Sequence, residues 1–295
     1  MFHRDVLRYR RGRYLWWGLG LVAASILLYA TSGRAVPAAG DTWQGYTLGT
    51  LGALLIVWLT WLGIRKRRYA STTGSLEGWA SAHVYLGLAL IVVATLHTAF
   101  QIGWNIHTLA FVLMLLVIGS GIVGLYFYLS FPRRASDNRR AATRAELFAE
   151  LFELDVQGRE LARRCDPVVA ASVVAGIERT VVGGGWLTQL TAGDRSRFLA
   201  GGAGGGEAKF VPNVDQQPLV DFVADRVPRA EKRQEAENLQ ALLSALCRRQ
   251  AILRRIRRDI QLQGLLQAWL YVHVPLTIAL LAALVAHILS TYIYW

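Results

Sequence analysis

Five runs of apolar residues constrain this chain more than any other feature. Each is close to or beyond the roughly 20 residues that a helix rising about 1.5 Å per residue needs to cross a bilayer. They cover residues 14–31, 46–64, 79–101, 106–131 and 265–294. The second holds no charged residue, and in the third and fifth the only ionisable groups besides tyrosine are histidines. The expected fold class is therefore all-α, an integral membrane protein with five transmembrane helices. Trp16, Trp17, Trp58, Trp61, Trp79, Trp104, Trp269, Tyr292, Tyr294 and Trp295 fall near the ends of the runs, as interfacial aromatic belts require.

Composition sharpens the class. The chain is 54% apolar yet carries a formal charge of +12, a pairing that suggests a membrane protein with basic cytoplasmic surfaces. A nucleic-acid partner is not expected, because no reading motif accompanies the charge and the apolar residues gather in bilayer-length runs.

The basic residues also orient the chain. With an odd number of spans and an internal N-terminus, 31 of the 32 Lys and Arg residues fall on one side, leaving only Arg34 opposite. This positive-inside pattern puts the N-terminus in the cytoplasm and the C-terminus outside. The first run, with its basic start and the later AVPAAG, has features of a secretory signal peptide, but its length favours an uncleaved anchor. Richness in Ala, Arg and Gly points to a bacterial source, and hence to the inner membrane.

Residues 1–45 then form a tail, an anchor and an outer loop, residues 46–131 hold spans two to four, and residues 265–295 hold span five. Between them, residues 132–264 form a polar insertion with 22 basic and 17 acidic residues. Leu239, Leu242, Leu246, Arg249, Leu253, Ile256 and Ile260 alternate steps of three and four like a coiled-coil seam, with Arg249 a polar break. Leu147, Leu151, Leu154 and Leu161 repeat the stripe more weakly. The insertion reads as an antiparallel helical pair with an irregular middle. That middle carries GGG at 183–185 and GGAGGG at 201–206, which read as flexible loops because neither GxxxxGK[ST] nor a strand-placed GxGxxG is present. Cys165 and Cys247 read as free thiols in a reducing compartment. They leave neither a CxxCH motif nor enough ligands for an iron–sulfur cluster.

Histidine carries the chemistry. His83 and His97 in span three, in HVYLGLALIVVATLH, have the same spacing as His273 and His287 in span five, in WLYVHVPLTIALLAALVAHILS. Fourteen residues turn a helix through about 1400°, four turns less about 40°, so each pair shares a face with a rise of roughly 21 Å. Both spans run in the same direction, so His83 matches His273 in depth and His97 matches His287. Facing imidazoles at two depths are the opposed axial nitrogens that two six-coordinate haem irons require. A lone buried histidine would more simply bond to a backbone carbonyl or hydroxyl, but four at matched depths favour ligation. Carboxylates for a di-iron site or proton relay are missing from the span cores, Glu77 lying just outside the third, and HExxH is absent.

Small residues agree with close packing of a cofactor or of another helix: Gly87, Ala94 and Ala99, Gly49 and Gly52, Gly119, Gly121 and Gly124, and Ala279, Ala282, Ala283 and Ala286. Pro275 is expected to bend span five, with Thr277 helping to satisfy the carbonyls it frees.

The two H-x13-H pairs on parallel spans resemble the di-haem core of bacterial b-type membrane cytochromes, including the cytochrome b/b6 group. The resemblance covers about half the chain and leaves out span one and the insertion. It implies a di-haem four-helix bundle of spans two to five, with two non-covalent b haems held by His83/His273 and His97/His287. The quinol-site motif PEWY is absent and the insertion has no counterpart in that group, which points away from a bc-complex subunit. The resemblance implies transmembrane electron transfer as a subunit of a respiratory or photosynthetic redox complex, quinone-linked or not. The implied partners are other membrane redox subunits, a c-type cytochrome or an iron–sulfur protein, and the lipid bilayer.

His107, at the outer start of span four, could contact a quinone carbonyl or a haem propionate, could replace an axial ligand, or could be an interfacial histidine with no role. Arg65, Lys66, Arg67, Arg68 and Arg133 are candidates for propionate contacts at the inner haem, or a solvated topology-setting cluster. His3, among tail arginines, is assigned no function. A structural or assembly subunit whose insertion docks partners is the alternative, and a membrane sensor is a third reading without an output motif.

Overall fold

The computed structural model describes residues 6–31, 42–67, 74–139, 142–201 and 208–293, excluding the side chains of residues 67 and 132–139. His3, Arg34, Arg68, Tyr294, Trp295 and most of the GGAGGG segment lie outside the described residues. About 81% of the described residues are helical, with almost no strand. The elements run α1 (Tyr9–Ala30), α2 (Trp43–Arg67), α3 (Leu76–His97), α4 (Ile106–Arg139), α5 (Arg144–Ala162), α6 (Pro167–Glu178), α7 (Trp186–Thr191), β1 (Arg197–Ala200), β2 (Lys209–Pro212), α8 (Gln217–Ala224) and α9 (Arg233–Ile293). Five of them, α1 to α4 and α9, are long and apolar enough to cross a membrane. Residues 1–130 with 268–295 form one compact unit and residues 131–267 another.

In the first unit α3 is the central helix. A third of its apolar window is buried, against 11–17% in the other four spans. Ser75 starts it by accepting a hydrogen bond from the Gly78 amide, with Glu77 in the first turn where the helix dipole favours an acid. It ends at His97, four residues before the apolar run does. Thr98 caps it, and Ala99 and Phe100 take left-handed φ values of 46° and 62° that no helix can continue through. α1 packs on α3 through Gly18, where a Cβ would stand 3.2 Å from the Tyr85 carbonyl oxygen. The Tyr85 hydroxyl donates to the Leu7 carbonyl oxygen at 2.8 Å.

Ile56 and Leu59 of α2, Leu90 of α3, Met114 of α4, and Leu280 and Leu284 of α9 form one buried cluster. Leu90 lies midway in sequence between His83 and His97, and Leu280 midway between His273 and His287, so a four-helix apolar layer separates two histidine levels. Outward-facing Leu15, Leu54, Ile122 and Ile278 stay exposed, as suits side chains that face hydrocarbon.

In the second unit, α5 and the first half of α9 are antiparallel. Arg144 meets Asp259 and Gln263, while Asp155 meets Arg249. Leu147, Leu151 and Leu154 pack against Ile252, Leu253 and Ile256. A reciprocal cap between Thr143 and Glu146 begins α5. The middle is more ordered than its glycines imply. α6, β1, α8 and α9 share a second core containing Val173, Phe198, Leu219, Val223 and Leu242. β1 and β2 pair antiparallel, Phe198 opposite Val211, and are the only strands among the described residues. At GGG, Gly183 and Gly184 take φ values of 85° and 128° that glycine alone adopts easily, turning the chain into α7.

The polar break in the seam is explained by its partners. Arg249, only 2% exposed, donates to Asp155 Oδ1 at 2.6 Å, Gln216 Oε1 at 2.8 Å and Thr180 Oγ1 at 3.0 Å. Arg257 lies one turn pair further along α9 and meets Asp194 at 2.7 Å. Burial lowers the guanidinium pKa of Arg257 from its ordinary value, and the Asp194 carboxylate opposes that shift.

Candidate functional site

The four span histidines are all half-buried in the protein, and each has its Nδ1 engaged. His83 Nδ1 lies 3.1 Å from the Leu59 carbonyl oxygen of α2. His97 Nδ1 lies 2.8 Å from the Gly45 carbonyl oxygen, also of α2. A carbonyl only accepts, so both rings carry their proton on Nδ1 and keep a bare lone pair on Nε2. His273 Nδ1 lies 2.7 Å from Ser120 Oγ of α4. Because that hydroxyl donates to the Val117 carbonyl oxygen at 2.8 Å, it accepts from the ring, with the same result. His287 Nδ1 meets His107 Nδ1 at 2.5 Å.

Among the described residues no hydrogen bond engages Nε2 of any of the four. An Nδ1–H held by a protein acceptor with Nε2 left free is the arrangement that orients imidazoles for metal ligation.

The level of His97 and His287 is the more closely defined. Their ring centroids are 6.0 Å apart with planes at 89°. Two imidazoles sharing one metal, with about 2 Å per metal–nitrogen bond and about 1 Å from nitrogen to ring centre, stand with centroids about 6 Å apart. Gly49 makes room for this ring. A Cβ there would stand 2.6 Å from His97 Cε1 and 3.0 Å from Nδ1, closer than side chains tolerate.

At the other level His83 of α3 is anchored on α2 and His273 of α9 on α4. Gly121 leaves ordinary contact distance to His273. Trp269 stacks on the His273 ring with centroids 5.3 Å apart and donates to the Ser120 carbonyl oxygen at 2.8 Å. Gly124 gives it space that a Cβ would fill.

Trp269 is thus a brace for His273. The sequence offered a weak signal for it, its position one turn before His273 together with the GSG at 119–121. Ser120, also missed, stands inside that same motif. Thr277 Oγ1 donates to the His273 carbonyl oxygen at 2.8 Å, whereas the carbonyl that Pro275 deprives of its helical donor is that of Tyr271. Arg65 Nη2 donates to the Gly74 carbonyl oxygen at 2.9 Å. Arg68 and the side chains of Arg67 and Arg133 lie outside the described residues.

Among the described residues no three His, Cys, Asp or Glu side chains converge to hold a bare metal ion. A haem iron asks less of the protein, two axial nitrogens, since the porphyrin supplies the other four. The free Nε2 atoms, the 6.0 Å ring pair and the Gly49 cradle fit that demand. Fold and site together define a multi-pass helical membrane protein with two levels of oriented intramembrane histidines. No protein family, curated protein or solved structure matches the chain.

Proposed function

We propose that this protein carries electrons across a membrane through two b haems, His83 and His273 holding one and His97 and His287 the other. The observation that carries the reading is the shared anchoring of all four Nδ1 atoms with every Nε2 left free. When bound, haem supplies a one-electron iron couple. The protein would supply histidine nitrogens at two depths, with the tautomers of His83, His97 and His273 set by oxygen acceptors and the apolar Leu90, Met114 and Leu280 layer between the levels. Held by two histidines each, the haems would have no open position, and the role would be relay rather than oxygen activation.

In this reading the N-terminus and the insertion face the cytoplasm of a bacterial inner membrane and the C-terminus faces outside, following the basic residues. Lys66, near the end of α2, is a candidate to meet propionates on the inner side. Donor and acceptor are other redox subunits, a c-type cytochrome or an iron–sulfur protein, with quinone as a further partner in an oxidoreductase complex.

A second reading has one observation in its favour. Phe148, Phe152 and Val156 form an exposed stripe along α5, 41%, 66% and 51% accessible, as an assembly subunit docking a partner through its insertion would show.

The functional test uses vesicles containing trapped ferricyanide and the purified full-length protein, with a membrane-impermeant reductant added outside. Trapped ferricyanide should be reduced well above the rate of protein-free vesicles. A rate equal to theirs would refute transmembrane electron transfer. The Gly49→Ala variant should keep its helices by circular dichroism but push the His97 ring off the Gly45 carbonyl. Loss of such an anchor weakens cofactor binding about 10–100-fold, read as selective depletion of one haem on dilution or competition.

A further inference from the structure

We infer that His107 is the positioning residue for His287, accepting the Nδ1–H of that ring and so selecting its ligand-competent tautomer. This inference rests on the haem reading above. Three of the four candidate ligands are anchored by oxygen: the carbonyls of Leu59 and Gly45 and the hydroxyl of Ser120. His287 alone leans on another imidazole, 2.5 Å away between the two Nδ1 atoms, with ring centroids 4.5 Å apart and planes at 89°. Ser290 Oγ and Thr291 Oγ1, the hydroxyls nearest it in sequence, donate to the His287 carbonyl oxygen at 2.8 and 2.9 Å, and neither bonds its ring.

His107 is well placed for a fixed role. It is the second residue of α4, whose start is held by Asn105. The Asn105 side chain accepts from the Thr108 amide at 2.9 Å, and its carbonyl accepts from the Leu109 amide at 3.1 Å. Thr108 Oγ1 accepts from the Gly103 amide at 3.0 Å, which ties down the preceding turn.

Two nitrogens can share only one proton between them, so the pair has two neutral arrangements. If His107 donates, His287 carries its own proton on Nε2 and cannot bind a metal. If His287 donates, its Nε2 carries a bare lone pair, and His107 keeps its proton on the far nitrogen. Metal binding at His287 selects the second arrangement, and His107 in turn makes His287 a stronger electron donor. A stronger axial donor favours ferric over ferrous iron. Removing the acceptor should therefore raise the reduction potential of the His97/His287 haem and leave the other unchanged.

The test uses the full-length protein, with His107→Leu and His107→Gln each made alone and in a His83→Ala background where only the His97/His287 haem remains. Haem per chain, potentiometric midpoints and low-spin electron paramagnetic resonance g values are recorded at one pH. His107→Leu should change the ferric preference on the order of tenfold, an upward shift of about 59 mV for one electron, with altered g values for that haem alone. Selective loss of that haem would also support the inference. His107→Gln, whose side-chain oxygen can accept the same proton, should recover most of the effect. Two haems with unchanged midpoints and g values in His107→Leu would overturn it, as would a His107→Gln variant no different from His107→Leu. A wild-type protein without haem would instead overturn the reading on which the inference rests.

Discussion

His83→Ala and His273→Ala, made separately, should each reduce the protein from two haems to one, and the haem lost should be the same in both. The expectation follows from axial ligation. One imidazole cannot hold a low-spin six-coordinate iron, so removing either partner empties the same level. His97→Ala and His287→Ala should likewise remove the other haem. The two groups are told apart by the midpoint potential of the haem that remains. The apolar layer between the levels makes the losses independent, and distant sites contribute additively. If His83→Ala and His273→Ala removed different haems, the pairing across α3 and α9 would be wrong. If neither removed any, these residues would be packing histidines with hydrogen bonds to Leu59 and Ser120 and nothing more.

The matched histidine pairs were legible because they are a matter of spacing. Two fourteen-residue pairs in parallel apolar helices leave few arrangements open, and the helix repeat fixes which residues share a face. What holds those rings was not legible. The Leu59 and Gly45 acceptors are backbone carbonyls, which any residue supplies, and their selection depends on how α2 packs on α3. The bracing role of Trp269 was not legible either, because an aromatic residue near the end of an apolar run fits an interfacial belt as well as it fits a brace. The end of α3 was misplaced because Ala99 and Phe100 are as apolar as the helix they follow, and only their backbone angles show that it has stopped. In the insertion the seam of α9 was readable from its three-and-four pattern. The β hairpin of four-residue strands was not, being too short to display a period.

The second large effect is expected in that insertion. Arg249→Leu should destabilise residues 131–267 by about 3–5 kcal/mol, since removing one member of a buried ion pair leaves the other uncompensated. Arg249 is almost wholly buried and Asp155 one-fifth exposed, so the carboxylate keeps only limited contact with water. Gln216 and Thr180 lose their donor at the same time. The double variant Arg249→Met with Asp155→Leu should be much less destabilised, because an apolar pair of similar volume removes the unpaired charge rather than creating it. Hydrogen exchange of the full-length protein reads this directly, with faster exchange across α5 and the first half of α9 in the single variant and recovery in the double. Equal exchange in wild type and Arg249→Leu would mean that the buried network contributes nothing to stability. The spans should be unaffected in either case, because their core is formed by different residues.

The central claim, two bis-histidine b haems in one chain, is tested most directly by a pyridine haemochrome measurement on the purified full-length protein, with haem quantified against protein. The account predicts a b-type spectrum and two haems per chain. A colourless protein from cells supplied with haem would contradict it.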